Sequence, residues 1–171
     1  RRIRQRIFDN AASQPWLPGD RVLVMEPAKD HNDEVVATTD DEGTVTRVEV
    51  DWHPEWREFK VWRINITTDD NRPIVLRVLH EDCLAEYTRK AEELVQAARL
   101  DRRKWRVFWD FKESFHKLRH AYAITAHRAQ GSTYEAAFVD WRDILLNRNR
   151  SEAYRCLYVA CTRPKKELYL G

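Results

Sequence analysis

The chain has 171 residues, 43% of them hydrophobic and 11% aromatic, which is enough for one domain or two small ones with a packed core and excludes a disordered chain. A net charge of +2 excludes a simple polycation argument for nucleic acid. The charge is unevenly placed: residues 26–58 hold eleven acids against three bases, and residues 99–119 hold eight bases against three acids, so the second stretch attracts phosphate and the first repels it.

Residues 1–12 have apolar Ile3, Ile7 and Phe8 at near-helical spacing between arginines, which predicts a helix. "SQPWLPGD" breaks it and marks a boundary. From Arg21 to about His80 the pattern is β. "RVLVME", "EVVATT", "TVTRVEVDW", "EFKVWRINIT" and "PIVLRVLH" read as five short strands, with turns at Asp40-Asp41-Glu42-Gly43 and Thr68-Asp69-Asp70-Asn71. In the third of these, Val45, Val48 and Val50 alternate with polar residues except for one slip of register. About 60 residues suit a small SH3-like barrel.

Asp82 is placed to cap a helix whose Leu84, Tyr87, Ala91, Leu94 and Ala98 share one face. A second helix is expected over about 101–118, with Trp105, Phe108, Trp109, Phe111 and Phe115 interleaved with Arg102, Arg103, Lys104, Arg106, Lys112 and Lys117. Two readings apply: a base-stacking platform with phosphate-binding cations, or a packed aromatic face. Trp105, Phe108, Trp109 and Phe115 form a broad stripe and are expected to pack. Phe111 falls off that stripe and is expected to be exposed, so that its replacement by Ala should leave folding intact.

The last fifty residues alternate differently. "YAITAH" and "AFVDW" read as strands, "SEAYRCLYVACTR" as a helix capped by Ser151 and stopped by Pro164, and "ELYL" as a final strand. Tyr154, Leu157, Tyr158 and Cys161 are expected on one face of that helix. This grammar implies a parallel α/β sheet.

Cys83, Cys156 and Cys161 form no CxxC pair, which points to free thiols, with Cys156 and Cys161 buried, in a reducing, cytoplasmic setting. No apolar run approaches membrane-spanning length, and no signal peptide is visible. The opening "RRIRQRIF", without an initiator Met, suggests a piece of a longer protein. The six histidines show no metal-ligand spacing, and no GxSxG supports a Ser-His-Asp triad.

"AITAHRAQGSTYE" gathers chemistry-bearing residues at the expected carboxyl end of a strand, where ligands sit in parallel sheets. Gly131 permits a tight turn there, the hydroxyls and amide can donate to phosphate, and Glu135 can accept from a sugar hydroxyl. The structural alternative is a capping box, Ser132-x-x-Glu135, opening a helix. The two are compatible, because a helix N-terminus binds anions. In "LYVACTRPKK", Arg163 at a helix end has the placement an arginine finger needs. The alternative is that Arg163, Lys165 and Lys166 complement the helix dipole.

These two stretches resemble motifs V and VI of superfamily 1 DNA helicases, in the RecD-like and Dda-like group. That family reads roughly T-x-H-x-x-Q-G-x-[ST] and [LV]-Y-V-A-x-T-R, and both are matched here in order. "PGDRVLV" is similar to the segment where these helicases enter an SH3-like barrel inserted into the second RecA-like domain. The resemblance implies α/β architecture with an inserted β domain. Residues 1–17 would be a helical remnant of the second RecA-like domain, 18–81 the barrel, 82–119 a helical projection, and 120–171 the end of the RecA-like parallel sheet. It implies a DNA-binding role for Thr125, His127 and Thr133, a nucleotide-binding role for Gln130, Gly131, Ser132 and Glu135, and a catalytic role for Arg163 at the γ-phosphate. Pro164 departs from the small residue the family has after that arginine, and a sharper helix stop is the expected effect.

None of the four glycines, Gly19, Gly43, Gly131 and Gly171, opens a GxxxxGK[ST] phosphate loop, and no Walker B strand is visible. The expectation is therefore a C-terminal part of an ATP-dependent, 5′→3′ DNA helicase. ATP and Mg2+ would be held only in the intact protein, with single-stranded DNA and the missing first RecA-like domain as partners and no membrane. In that group a projection on the barrel meets a pin from the first domain, and residues 82–118 would be that projection. A non-enzymatic DNA- or protein-binding module and a RecD-like subunit working with a recombination nuclease are the rival readings.

Overall fold

A computed structural model describes residues 4, 7, 8, 14–30 and 33–171. The helix expected over residues 1–12 lies mostly outside the described residues. The chain divides into two compact units, Arg1–Tyr122 and Ala123–Gly171.

The first unit is built on a five-stranded antiparallel sheet of order β6-β5-β4-β1-β7. Its strands are β1 (Arg21–Val24), β4 (Glu42–Trp52), β5 (Lys60–Thr68), β6 (Pro73–Leu79) and β7 (Leu118–His120). A separate ladder pairs β2 (Ala28–Lys29) with β3 (Val35–Ala37). The five expected strand segments all contain strand. No closed barrel forms among the described residues, because β6 and β7 end the sheet without pairing to each other.

The register slip is a β-bulge. Val45 faces Ile66 and Arg47 faces Asn65, which leaves Thr46 as the extra residue. The bulge turns Val48 back to the face of Val45, so both meet the same core. Gly43 is a strand residue rather than a turn residue, since a Cβ there would lie 2.7 Å from the Thr67 carbonyl oxygen. The turns instead use Asp40 and Asn71 at positive φ, which short Asx side chains tolerate.

Two cores share β5. Ile64 and Ile66 join Val22, Val24, Val45 and Leu76 on one face. Val61, an odd number of residues away, points to the other face and joins Phe59, Phe111 and Phe115. That second core is covered by α1 (Leu84–Leu100) and α2 (Trp105–Glu113). Tyr87, Ala91 and Leu94 of α1 pack on it, but Leu84 is exposed. Asp82 caps nothing: it lies in a 3-10 turn, and the His80 side chain accepts from the Asp82 N–H.

The aromatic expectation is corrected in α2. Phe111 is fully buried (0% exposed) and stacks on Tyr87 with ring centroids 4.9 Å apart, whereas Trp109 is 46% exposed. Phe111 and Phe115, four residues apart, join Phe59 and Val61 in the second core, whereas Trp105 and Phe108 are only half-buried.

Asp20 anchors the start of β1. Its carboxylate is fully buried and accepts from Arg4 Nε (2.8 and 3.1 Å), Leu17 N (2.7 Å) and Tyr122 Oη (2.8 Å). Burial pushes its pKa up, but these donors together outweigh burial and hold it below the ordinary carboxylate value.

In the second unit, β8 (Tyr134–Val139) and β9 (Pro164–Leu170) pair in parallel. The connection between them carries α3 (Trp141–Leu145) and α4 (Arg150–Cys161). The described residues are thus mixed α/β, with two antiparallel sheets and one parallel sheet. "YAITAH" is not a strand: residues 121–131 run as irregular chain and turns, and Tyr122 spends its hydroxyl on Asp20 rather than standing in a ladder. No described helix is long and apolar enough to cross a membrane.

Candidate functional site

The loop 125–133 is held by its own backbone. Ala129 N donates to Thr125 O (3.1 Å), Gln130 N to His127 O (3.3 Å) and Ser132 N to Ala129 O (3.1 Å). The Thr125 hydroxyl accepts from Arg128 N at 3.4 Å. Ala129 is buried and pins the loop, and Gly131 closes it at φ 91°. A Cβ on Gly131 would touch nothing, so backbone conformation and not crowding requires glycine there.

No helix begins at Ser132, so the capping box does not form. Glu135 lies within β8, and its carboxylate pairs with Lys166 of β9 at 2.6 Å. The loop therefore leads into the amino end of β8 rather than leaving the carboxyl end of a strand. At that edge the Tyr134 N–H donates to the Arg163 carbonyl (3.1 Å), so the two motif-bearing segments meet through backbone.

Helix α4 is capped by Asn149, whose side chain accepts from Glu152 N, and not by Ser151. Its first turns line a cleft of about 820 Å³ together with His127 and Gln130. Glu152 Oε1 lies 3.8 Å from His127 Nε2, and Cys156 Sγ lies 3.8 and 3.9 Å from the two ring nitrogens. Arg155 adds a cation to the same wall. The cleft thus offers an imidazole, an amide and a guanidinium beside a helix N-terminus, donors that can meet anionic groups, with the Glu152 carboxylate on the same wall beside the imidazole. Thr125, Gly131, Ser132, Thr133, Glu135 and Arg163 do not line it.

Arg163 is folded back on its own helix. Its Nε donates to Val159 O and its Nη2 to the Thr162 hydroxyl, both at 3.1 Å. It adds a cation at the carbonyl end of the helix, as the dipole alternative anticipates. Pro164 ends the helix and is the first residue of β9.

Glu152, Arg155 and Cys156 were not among the expected site residues, nor was Lys166. The first three share one face of α4 at spacings of 3 and 1, and that face is the signal that identifies them. Tyr154 and Tyr158, expected on a shared face with Leu157, are largely exposed. Cys83, Cys156 and Cys161 are free and half-buried, so the expected burial of Cys156 and Cys161 is only partial, because α4 packs only part of its surface. Among the described residues no group of three His, Cys, Asp or Glu side chains converges to hold a metal ion.

Residues 120–170 match the family of UvrD-like helicase C-terminal domains. An uncharacterized protein of Acanthamoeba polyphaga mimivirus is 38% identical over 56 residues, which cover 33% of this chain. The aligned stretch spans only 11% of that relative's length. The similarity supports a superfamily 1 helicase C-terminal region over the residues that carry both motifs.

Proposed function

We propose that the chain supplies the C-terminal motor elements of an ATP-dependent DNA helicase of the RecD-like and Dda-like group, moving 5′→3′ on single-stranded DNA. The observation that carries this reading is the coincidence of the family match over residues 120–170 with the 125–133 loop and α4, which enclose His127 and Gln130 in one cleft. In this reading the β-rich first unit is the inserted SH3-like domain. Thr125, His127 and Thr133 face the DNA, and Gln130, Gly131, Ser132 and Glu135 face the nucleotide. Three free cysteines suit a cytoplasmic protein.

ATP supplies the phosphoryl transfer whose charge an arginine can stabilise. This chain provides one side of such a site. To serve as a finger, Arg163 exchanges its bonds to Val159 O and Thr162 Oγ1 for stronger, charge-assisted ones. Glu135 likewise gives up Lys166, an exposed pair with little to lose. In this reading Mg2+ arrives with ATP, and the residues that would hold it belong to another part of the protein. The backbone bond from Tyr134 to Arg163 ties the loop to the arginine, so a shift of one moves the other.

The test is Arg163→Ala in the full-length protein. DNA-stimulated ATP turnover should fall by roughly 10³ or more while single-strand affinity is kept. Turnover within a few-fold of wild type would overturn the assignment.

A further inference from the structure

The basic stretch identified in the sequence separates into two populations. At the base of the helical pair charges are spent internally: Lys117 pairs with Glu26 at 2.6 Å, and Lys29 with Glu113 at 3.0 Å. At the tip, where α1 turns into α2, residues 99–106 hold five cations and one acid. Arg99, Arg102, Arg103 and Lys104 are exposed and face no carboxylate partner among the described residues. The one acid, Asp101, accepts from the Arg103 backbone N–H. Arg106 approaches Asp110 only at 3.9 Å. Arg89 and Glu93 are paired with each other further down α1.

Beside these cations lies exposed apolar surface. Leu100 is 91% exposed, and Trp109 is 46% exposed with Lys112 Nζ 5.0 Å over its ring. Phe108 meets Trp109 edge-on with centroids 5.1 Å apart. Exposed cations on the tip and a half-exposed indole on the helix that follows match what a single nucleic-acid strand offers: regularly spaced phosphates and bases with free π-faces. A membrane surface fits less well. Helix α2 has nine residues, Phe111 is buried, and the exposed Val107 and Trp109 are interleaved with Arg106, Asp110 and Lys112, so no continuous apolar face is left to insert.

We propose that the α1–α2 tip is a single-stranded nucleic-acid contact, in which Arg99, Arg102, Arg103 and Lys104 neutralise phosphates and Trp109 stacks a base. This contact lies in the first unit, uses none of the motif residues, and does not depend on the reading of Arg163 or His127. It gives the chain a second hold on a strand.

The experiment is fluorescence anisotropy of a labelled oligothymidylate titrated with the 171-residue chain across a salt series. The combined variant Arg102→Gln, Arg103→Gln, Lys104→Gln should bind more weakly at low salt, and its slope of log affinity against log salt should fall by about 2, at roughly 0.7 per lost phosphate contact. Trp109→Ala should weaken binding roughly tenfold and leave the slope unchanged. All substituted side chains are exposed or half-exposed, so circular dichroism and thermal unfolding should match wild type. The inference fails if the wild-type chain does not bind at low salt, or if both variants bind as wild type does. It also fails if the chain binds vesicles of phosphatidylserine and phosphatidylcholine but not the oligonucleotide. A parallel His127→Ala variant separates the two readings. Binding lost there but kept in the tip variants sinks the tip and spares the motif assignment, and the opposite pattern does the reverse.

Discussion

His116 makes the first unit sensitive to mild acid. It lies between α2 and β7, is 6% exposed, and bridges two strands. Its Nδ1 accepts from Arg77 N at 2.9 Å, and its Nε2 donates to Lys29 O at 3.0 Å. That pattern fixes the neutral imidazole with its proton on Nε2, and a second proton on Nδ1 would face the Arg77 N–H. Burial lowers its pKa from 6.5 to about 4; the hydrogen bond to the Lys29 carbonyl, the next largest influence, pulls upward, and the charges of Arg77 and His53 add smaller downward contributions. His53, also lowered chiefly by burial, accepts from Trp56 N (3.1 Å) and donates to Ser114 O (3.2 Å). The unfolded chain therefore binds the proton more readily than the native one. The stability from His116 is fully present above 6.5 and is lost as pH falls toward about 4. Fully developed, the loss is roughly 3 kcal/mol, and between about pH 7 and about pH 5 it is roughly 2 kcal/mol. Urea unfolding followed by tryptophan fluorescence at those two pH values measures it, and the comparison is His116→Asn, which keeps an acceptor near Nδ1 but cannot titrate. The variant should be less stable near neutrality and should have a pH dependence flatter by about 2 kcal/mol, with His53 still contributing a residual slope. Parallel pH profiles for the two proteins would refute the assignment of the acid response to His116.

Phe111→Ala should destabilise the first unit by roughly 3–5 kcal/mol, read as a lower urea midpoint, because the ring sits at the centre of the second core. A loss below about 1 kcal/mol would show the ring to be dispensable. Asp20→Asn should cost a similar 3–5 kcal/mol, since it removes the buried carboxylate that pairs with the Arg4 guanidinium. The depressed pKa of Asp20 also means that its contribution is present above 3.8 and is lost as pH falls below that value. Acid unfolding of wild type should thus show a late carboxylate phase, after the histidine phase, that the Asn variant lacks.

The strands of the first unit were legible because alternation reports burial directly. "TVTRVEVDW" even displayed its bulge, as one break in an otherwise regular pattern. What alternation does not report is which edges close. The open order β6-β5-β4-β1-β7 follows from pairing partners far apart in sequence, such as Leu23 with Arg119, which no local window contains. Phe111 was misread for a related reason. Five aromatics in eleven residues overfill one helical face, and only the position of the sheet decides which stripe turns inward. Here Phe59 and Val61 make that choice, and both lie in β5 or just before it.

The site was legible by motif and not by geometry. The letters of "TAHRAQGST" identified a chemistry-bearing loop, and "AFVDW" marked the strand beyond it, but the capping box weighed between them does not form: Glu135 already lies in β8, where it pairs with Lys166 of β9. The face of α4 that completes the cleft carries Glu152, Arg155 and Cys156 at helical spacing, a signal available only once the helix is anchored by its Asn149 cap. Arg163 shows most clearly how motif and geometry divide the information. Its resemblance to the motif VI arginine implies a phosphate contact, while its two 3.1 Å bonds hold it on the end of its own helix. These are compatible if the bonds are a resting arrangement. Neutral acceptors retain a guanidinium weakly enough for an anion to draw it away, yet they keep it near the edge where Tyr134 meets β9. An arginine paired there with a carboxylate would be better held and worse placed to move, and neither bond from Arg163 goes to one.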